Sequence, residues 1–86
     1  MQSLPPTDAQ LLTSFATRRD QRAFTLLVQR HGQMVYNVCR RMLKSPEDAE
    51  DATQAVFLTL AHKANSLDEG DLGGWLHRVS WCVCMH

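Results

Sequence analysis

The stretch that decides the fold runs from Ser45 to Leu60 and reads SPEDAEDATQAVFLTL. Ser45 followed by Pro46 is typical of a helix start, because a serine hydroxyl can cap the first N–H groups and proline costs nothing at the first helical position. The acidic residues that follow meet the positive end of the helix dipole, and Asp48 lies three residues past the cap, where it can help to satisfy the open N–H groups. At least part of the acidic cluster is therefore a helix start.

The same helix has two faces of different chemistry. At about 100° per residue, one side is apolar and is predicted to face the core: it comprises Ala49, Ala52, Thr53, Val56, Phe57, Leu60 and Ala64. The opposite side comprises Glu47, Asp51, Gln54 and Leu58. Carboxylates, an amide and one apolar anchor suit a protein interface. A solvated face with a single exposed leucine is the alternative interpretation.

Apolar spacing on either side of this stretch predicts further helices and no strand. A first helix is expected over about 8–18, capped by Thr7 or Asp8, and a second over 20–44, capped by Asp20. Gly32 could kink or split the second helix. A polar loop over 65–74 precedes a last helix from near Gly74, whose apolar side comprises Trp75, Leu76, Val79 and Val83. The predicted fold class is all-α, a small bundle of about four helices.

Composition and length indicate one small globular domain. The chain has 86 residues, of which 44% are hydrophobic and 21% charged. We expect a flexible N-terminus over 1–7 and one helical domain over 8–86, with the last helix cut and no second helix-turn-helix domain. The opening MQSLPP is not a signal peptide, and no apolar run predicts a membrane span. Three cysteines, an odd number, favour a reducing, cytoplasmic setting.

The zero net charge conceals a strong polarity along the chain. Residues 1–45 contain seven basic and two acidic residues, whereas residues 46–86 contain two basic and seven acidic residues. The halves therefore carry about +5 and −5. Such asymmetry could serve intramolecular packing or two partners of different charge, or could be two solvated faces.

The sequence gives little support for catalysis. A metal site is the more specific of the two chemical functions considered. The chain contains neither a Gly-rich phosphate loop nor an HExxH pattern. Cys82, Cys84 and His86 are soft ligands that Cys39 could join, but a C-x-C pair on a helix points its thiols about 200° apart. The alternative is that Cys39 and Cys82 are small core residues and that Cys84 is partly exposed. We expect no enzyme activity, no cofactor and no metal.

Aromatic and basic residues near the C-terminus suggest a further surface. Trp75 and Trp81 flank Arg78, and Lys63 precedes the polar loop. Single-strand binders combine aromatic platforms with cations, so this set could hold unpaired bases. We interpret Trp75 as a core residue and Trp81 as a surface residue.

From Asp8 to about Ser80 the sequence resembles region 2 of bacterial sigma factors of the extracytoplasmic-function class. Three segments carry the resemblance, in the order and at the spacing of that family: RHGQMVYNVCRRML over 30–43, DAEDATQAVFL over 48–58 and WLHRV over 75–79. The resemblance implies a helical bundle that docks on core RNA polymerase and recognises and melts the −10 promoter element during transcription initiation.

The resemblance also implies residue roles. The helix with the DAED pattern would dock on the clamp coiled coil of the largest polymerase subunits through Asp48, Asp51, Gln54 and Leu58, with Phe57 chiefly in the core. A pocket over 65–72 would hold a flipped base of the non-template strand. The DNA-binding residues would be Lys63, Asn65, Ser66, Leu67, Trp75, Arg78 and Trp81, with Cys82 close by.

The sequence departs from the family pattern at two places. Ser80-Trp81-Cys82 replaces the usual Ala-Arg-Asn after WLHRV, and Ala55 replaces the usual Glu after Gln54. With Cys82 at the position of the usual Asn, the resemblance does not carry an Asn-type base contact over to this chain. Two alternatives therefore stay open: a helical interaction module that regulates transcription through a partner such as an anti-sigma protein, and a metal-responsive domain.

Overall fold

The computed structural model describes residues 4–67 and 69–85, and of Glu69 only the backbone. Four α-helices follow one another: α1 (Asp8–Arg18), α2 (Gln21–Met42), α3 (Pro46–Lys63) and α4 (Leu72–Cys84). Two 3₁₀ turns, Ala64–Ser66 and Glu69–Asp71, connect α3 to α4. The described ranges contain no strand, so the predicted all-α bundle of four helices is confirmed. In the same ranges, no helix is long and apolar enough to cross a membrane.

Side chains cap the first two helices as the sequence predicts. The Thr7 hydroxyl accepts from the Gln10 N–H at 3.1 Å, and the Gln10 side chain accepts from the Thr7 N–H at 2.9 Å, which completes a capping box. Asp20 accepts from the N–H groups of Arg22 and Ala23 at the start of α2. Local sequence therefore determines where both helices begin.

α2 is one continuous helix through Gly32. The helix neither splits nor ends at Gly32. A Cβ at this position would meet only Val28, at an ordinary 3.8 Å. α2 packs against α1, α3 and α4, so it is the central element of the bundle.

An ionic contact ties α1 to the middle of α2. The Asp8 carboxylate accepts from Arg30 at 3.2 Å and lies 2.8 Å from Nε2 of His31. All three side chains are partly exposed, so this contact supplements the apolar core rather than replacing it.

The core unites residues from all four helices. Phe15 of α1 and Phe24 of α2 have ring centroids 4.7 Å apart, and Phe24 meets Phe57 of α3 edge-on at 6.4 Å. The predicted core side of α3 is confirmed for Ala49, Ala52, Val56, Phe57, Leu60 and Ala64, which are buried; Thr53 is half-buried.

α4 differs from the prediction in its start and in its register. It begins at Leu72 rather than near Gly74, because Asp71 caps it by accepting from the Gly74 N–H at 3.0 Å. The buried line of α4 consists of Leu72, Leu76 and Ser80. Of the predicted apolar side, only Leu76 is fully buried, while Trp75, Val79 and Val83 are half-buried.

The predicted burial of Cys82 is wrong. Ser80 has no exposed surface, and Cys82, two residues further along the helix, points to the opposite side and is exposed. The buried Ser80 hydroxyl donates a hydrogen bond to the Leu76 carbonyl at 2.7 Å, so no unpaired hydroxyl is left in the core at this position.

Candidate functional site

The outer face of α3 presents the residues that the sequence places there. Asp51, Gln54 and Leu58 are all exposed, and Leu58 keeps 61% of its surface accessible. Their spacing of three and four residues aligns them in one strip along the helix. Asp48 is exposed at the N-terminal end of this strip. Leu58 stands between polar groups on the outer face of α3.

An apolar groove of about 350 Å³ borders this strip on the α2 side. Its lining comprises Phe24 and Val28 of α2 together with Thr53, Gln54, Phe57 and Leu58 of α3. Sequence reasoning assigned neither Phe24 nor Val28 to a surface site, because helical spacing within α2 does not show where α3 leaves a groove open. Only the packing of α2 on α3 leaves both of them half-buried at a surface.

Ser45 caps the N-terminus of α3. The carboxylate that is hydrogen-bonded to the Ser45 hydroxyl belongs to Glu47 rather than to Asp48. The Ser45 hydroxyl accepts from the Asp48 N–H at 3.3 Å and donates to the Glu47 carboxylate at 2.8 Å. The Ser45 hydroxyl and then the backbone N–H of Glu47 hold the pKa of Glu47 below its ordinary value. The part of the acidic cluster nearest Ser45 therefore acts in helix initiation.

A second surface lies where α3 ends. Lys63, Asn65 and Ser66 are exposed, Leu67 is half-buried, and the Ser66 hydroxyl donates to the Lys63 carbonyl at 3.1 Å. α1 packs against both 3₁₀ turns, so this connection lies on a helix rather than extending into solvent. The expected pocket over 65–72 includes residue 68, which lies outside the described residues.

α4 carries the remaining residues of the predicted DNA-binding set. Trp75 is half-buried, Arg78 is exposed and Trp81 is 47% exposed. At about 100° per residue, Arg78 lies about 60° and Trp81 about 120° round the helix from Trp75. Trp75 lies in the first turn beside the 3₁₀ connection, whereas Trp81 is about 9 Å further along the axis. The structure therefore brings Trp75 close to the turns and leaves Trp81 at a distance from them.

The cysteines do not assemble the metal site that the sequence left open. Cys39 is fully buried, and its free thiol forms a hydrogen bond with the half-buried free thiol of Cys84. Burial chiefly, and then this hydrogen bond, raise the pKa of Cys84 to about 11. Cys82, about 200° round α4 from Cys84, is exposed. Among the described residues, His, Cys, Asp and Glu form no cluster of three or more suited to a metal. His86, the other expected ligand, lies outside the described residues.

The family model for Sigma-70 region 2 matches residues 27–85, which is more than half of the chain. The chain belongs to the Sigma-70 region 2 family. The match begins within α2 and includes all of α3 and α4, so it contains both the outer face of α3 and the surface around the 3₁₀ turns.

Individual relatives agree with the family. The chain is 28% identical over 75 residues to the ECF RNA polymerase sigma factor SigE of Mycolicibacterium smegmatis, covering 87% of this chain and 29% of the relative. It is 31% identical over 80 residues to the ECF RNA polymerase sigma factor SigM of Mycobacterium tuberculosis, covering 92% of this chain and 40% of the relative. It is 32% identical over 75 residues to the RNA polymerase sigma factor NccH of Alcaligenes xylosoxydans xylosoxydans, covering 86% of this chain and 40% of the relative.

The chain thus spans between 29% and 40% of the length of these relatives. No solved structure gives a significant match.

Proposed function

We propose that this chain is the region 2 domain of an ECF-type sigma factor, which docks on core RNA polymerase and binds the −10 promoter element during transcription initiation. The observation that carries the proposal is the outer face of α3, where Leu58 is 61% exposed between polar side chains beside an apolar groove. The family match and the names of the relatives, which are RNA polymerase sigma factors, supply the partner.

Docking would use Leu58 as the apolar anchor and Asp51 and Gln54 as the polar contacts. An anchor gains affinity when it enters a pocket and loses its water, whereas carboxylates at the rim set orientation and association rate. Asp48, at the start of the strip, would add negative charge that attracts a basic surface on the polymerase clamp coiled coil. The groove beside Leu58 would give the partner's own side chains a place to insert.

The DNA-binding surface would comprise the 3₁₀ connection and the adjoining flank of α4. Exposed Asn65 and Ser66 can donate and accept hydrogen bonds at base edges, and Trp81 offers an aromatic ring for stacking. Lys63 and Arg78 would hold phosphates of the non-template strand. Trapping unpaired bases favours the open duplex without catalysis, since the binding energy offsets the cost of unstacking.

The test of docking is binding of this chain to an isolated clamp coiled coil of RNA polymerase, measured by titration calorimetry. Asp51→Arg and Leu58→Asp are each expected to weaken binding at least tenfold. Leu26→Asp is the matched control: Leu26 is an exposed leucine on α2 that does not line the groove, so this variant should bind like the original chain. Absence of binding by the folded original chain, or equal losses in all three variants, would refute the docking role.

The interaction-module alternative predicts a different result. Such a module would bind a protein such as an anti-sigma factor but would not bind promoter strand. Loss of DNA binding in Trp81→Ala and Arg78→Gln, with helix content unchanged by circular dichroism, would therefore favour the sigma role over this alternative.

A further inference from the structure

The corner between α1 and α2 carries positive charge that neither proposed surface uses. Arg18 ends α1, Arg19 follows in the left-handed conformation with φ of 51°, and Arg22 lies in the first turn of α2. All three side chains are exposed. We call these three residues the basic corner. They account for much of the positive charge of residues 1–45.

Arg19 connects the basic corner to the end of α3. Its Nη1 donates to the Ala61 carbonyl at 3.3 Å, and its guanidinium lies over the Phe15 ring, 4.8 Å from the centroid. This places Arg19 beside the last turn of α3, which also carries the exposed Lys63. The ring and the carbonyl hold the guanidinium in place, while an arginine has five N–H donors in all and Ala61 receives one of them.

One carboxylate lies within the corner, but it is committed to the helix start. Asp20 accepts from the N–H groups of Arg22 and Ala23 and from the Ser14 hydroxyl. These bonds, led by that of Ala23, hold the pKa of Asp20 below its ordinary value, so it is ionised at neutral pH. The corner together with Lys63 therefore keeps a formal charge of +3.

We propose that the basic corner binds the phosphate backbone of the single DNA strand that the 3₁₀ connection receives. This inference rests on the proposed function and adds residues from outside the matched family region, which begins at residue 27. Arg19 contacts the Ala61 carbonyl, two residues before Lys63, and α1 packs against the 3₁₀ turn that contains Asn65, so a strand that leaves these residues along the end of α3 meets Arg19 first. Guanidinium groups bind phosphates bidentately, and such contacts position a strand without reading its sequence.

A structural role alone would have a different signature. Arg19 could serve only to satisfy a carbonyl at the C-terminal end of α3, where a cation also meets the negative end of the helix dipole. Its replacement would then lower thermal stability and leave DNA affinity unchanged at temperatures where the chain is folded. A phosphate contact instead changes the salt dependence of binding.

The experiment measures binding of this chain to a labelled single-stranded DNA of about 20 nucleotides and mixed sequence by fluorescence anisotropy, at several salt concentrations. The test variant is Arg19→Gln with Arg22→Gln. The control, Arg41→Gln with Lys44→Gln, removes the same charge from two exposed residues near the other end of α2, about 28 Å from Arg22.

We expect the test variant to lower the slope of log K against log salt by about 1.4, since each phosphate contact on a single strand contributes about 0.7. Its affinity should fall several-fold at the lowest salt, and the control should lose less than half as much. Arg22→Gln alone keeps the Ala61 contact and should lower the slope by about 0.7. This single variant carries the test if the double variant unfolds.

Equal losses in the test variant and the control would overturn the inference, because they would indicate a diffuse field rather than a site. If Arg78→Gln weakens binding while the test variant matches the control, the inference fails and the proposed function stands. If the original chain binds no DNA, both fail. Loss of clamp coiled-coil binding in the test variant would assign the basic corner to protein docking and would likewise overturn the inference.

Discussion

α3 and α4 pack against α2 and against each other, yet their outward faces have opposite chemistry. The outer face of α3 has carboxylates, an amide and Leu58, whereas the outer flank of α4 has Arg78 and Trp81. The two faces suit different partners: a basic protein surface for α3 and a nucleic-acid strand for α4. The two proposed binding surfaces can therefore lie on one small bundle, because adjacent helices direct their polar sides differently.

The two helices also differ in how well local sequence predicts burial. On α3, helical spacing defines one apolar side, and that side is the one that the fold buries. On α4, apolar residues occur nearly all round, so several rotations bury similar area. The fold selects the rotation that buries Leu76 and Ser80 and exposes Cys82.

The largest expected effect tests the two faces of α3. Leu60 is fully buried, so Leu60→Ala should lower the free energy of unfolding by about 2–5 kcal/mol. Leu58→Ala is the matched control on the outer face and should change it by less than about 0.5 kcal/mol. Urea unfolding followed by circular dichroism measures both. Similar losses in the two variants would contradict the outward orientation of Leu58.

The next effect tests the rotation of α4. Ser80→Val adds volume to a fully buried position and should cost about 1–3 kcal/mol, whereas Cys82→Val changes an exposed residue and should cost less than about 0.5 kcal/mol. The same urea measurement compares them. A larger loss for Cys82→Val would mean that α4 is rotated as the sequence alone predicted.

A smaller effect compares the starts of the two helices. Ser45→Ala and Asp71→Ala each remove a side-chain cap and should each cost about 1 kcal/mol. Ser66→Ala is the control, since its exposed hydroxyl caps no helix start, and it should be nearly neutral. Differential scanning calorimetry gives the three melting temperatures. A neutral Asp71→Ala would contradict the start of α4 at Leu72.

The smallest effect is a pH dependence at the start of α3. The pKa of Glu47 is lower in the folded chain than its ordinary value of 4.5, so its contribution to stability is present above pH 4.5 and is lost as pH falls through the folded pKa. The melting temperature should therefore fall slightly more steeply below pH 4.5 in the original chain than in Ser45→Ala. Parallel curves would show that the Ser45 hydroxyl does not set this pKa.

Much of the fold could be predicted because its signals are local. Thr7, Asp20 and Ser45 are short polar residues directly before helical patterns, and each caps a helix in the structure. The outward position of Leu58 followed from helical spacing, which needs no knowledge of neighbouring elements. The roles of the candidate site residues came from the family resemblance and remain predictions.

The sequence by itself determined four helices, the caps of the first three and the two faces of α3, since hydrogen bonding and periodicity within one segment decide these features. Only the tertiary structure decided the rotation of α4, the groove that Phe24 and Val28 line, and the contact of Arg19 with Ala61, 42 residues away. The physical reason is the same in each case. These features depend on which surfaces pack together, and many pairings of apolar residues bury similar area until the whole bundle selects one.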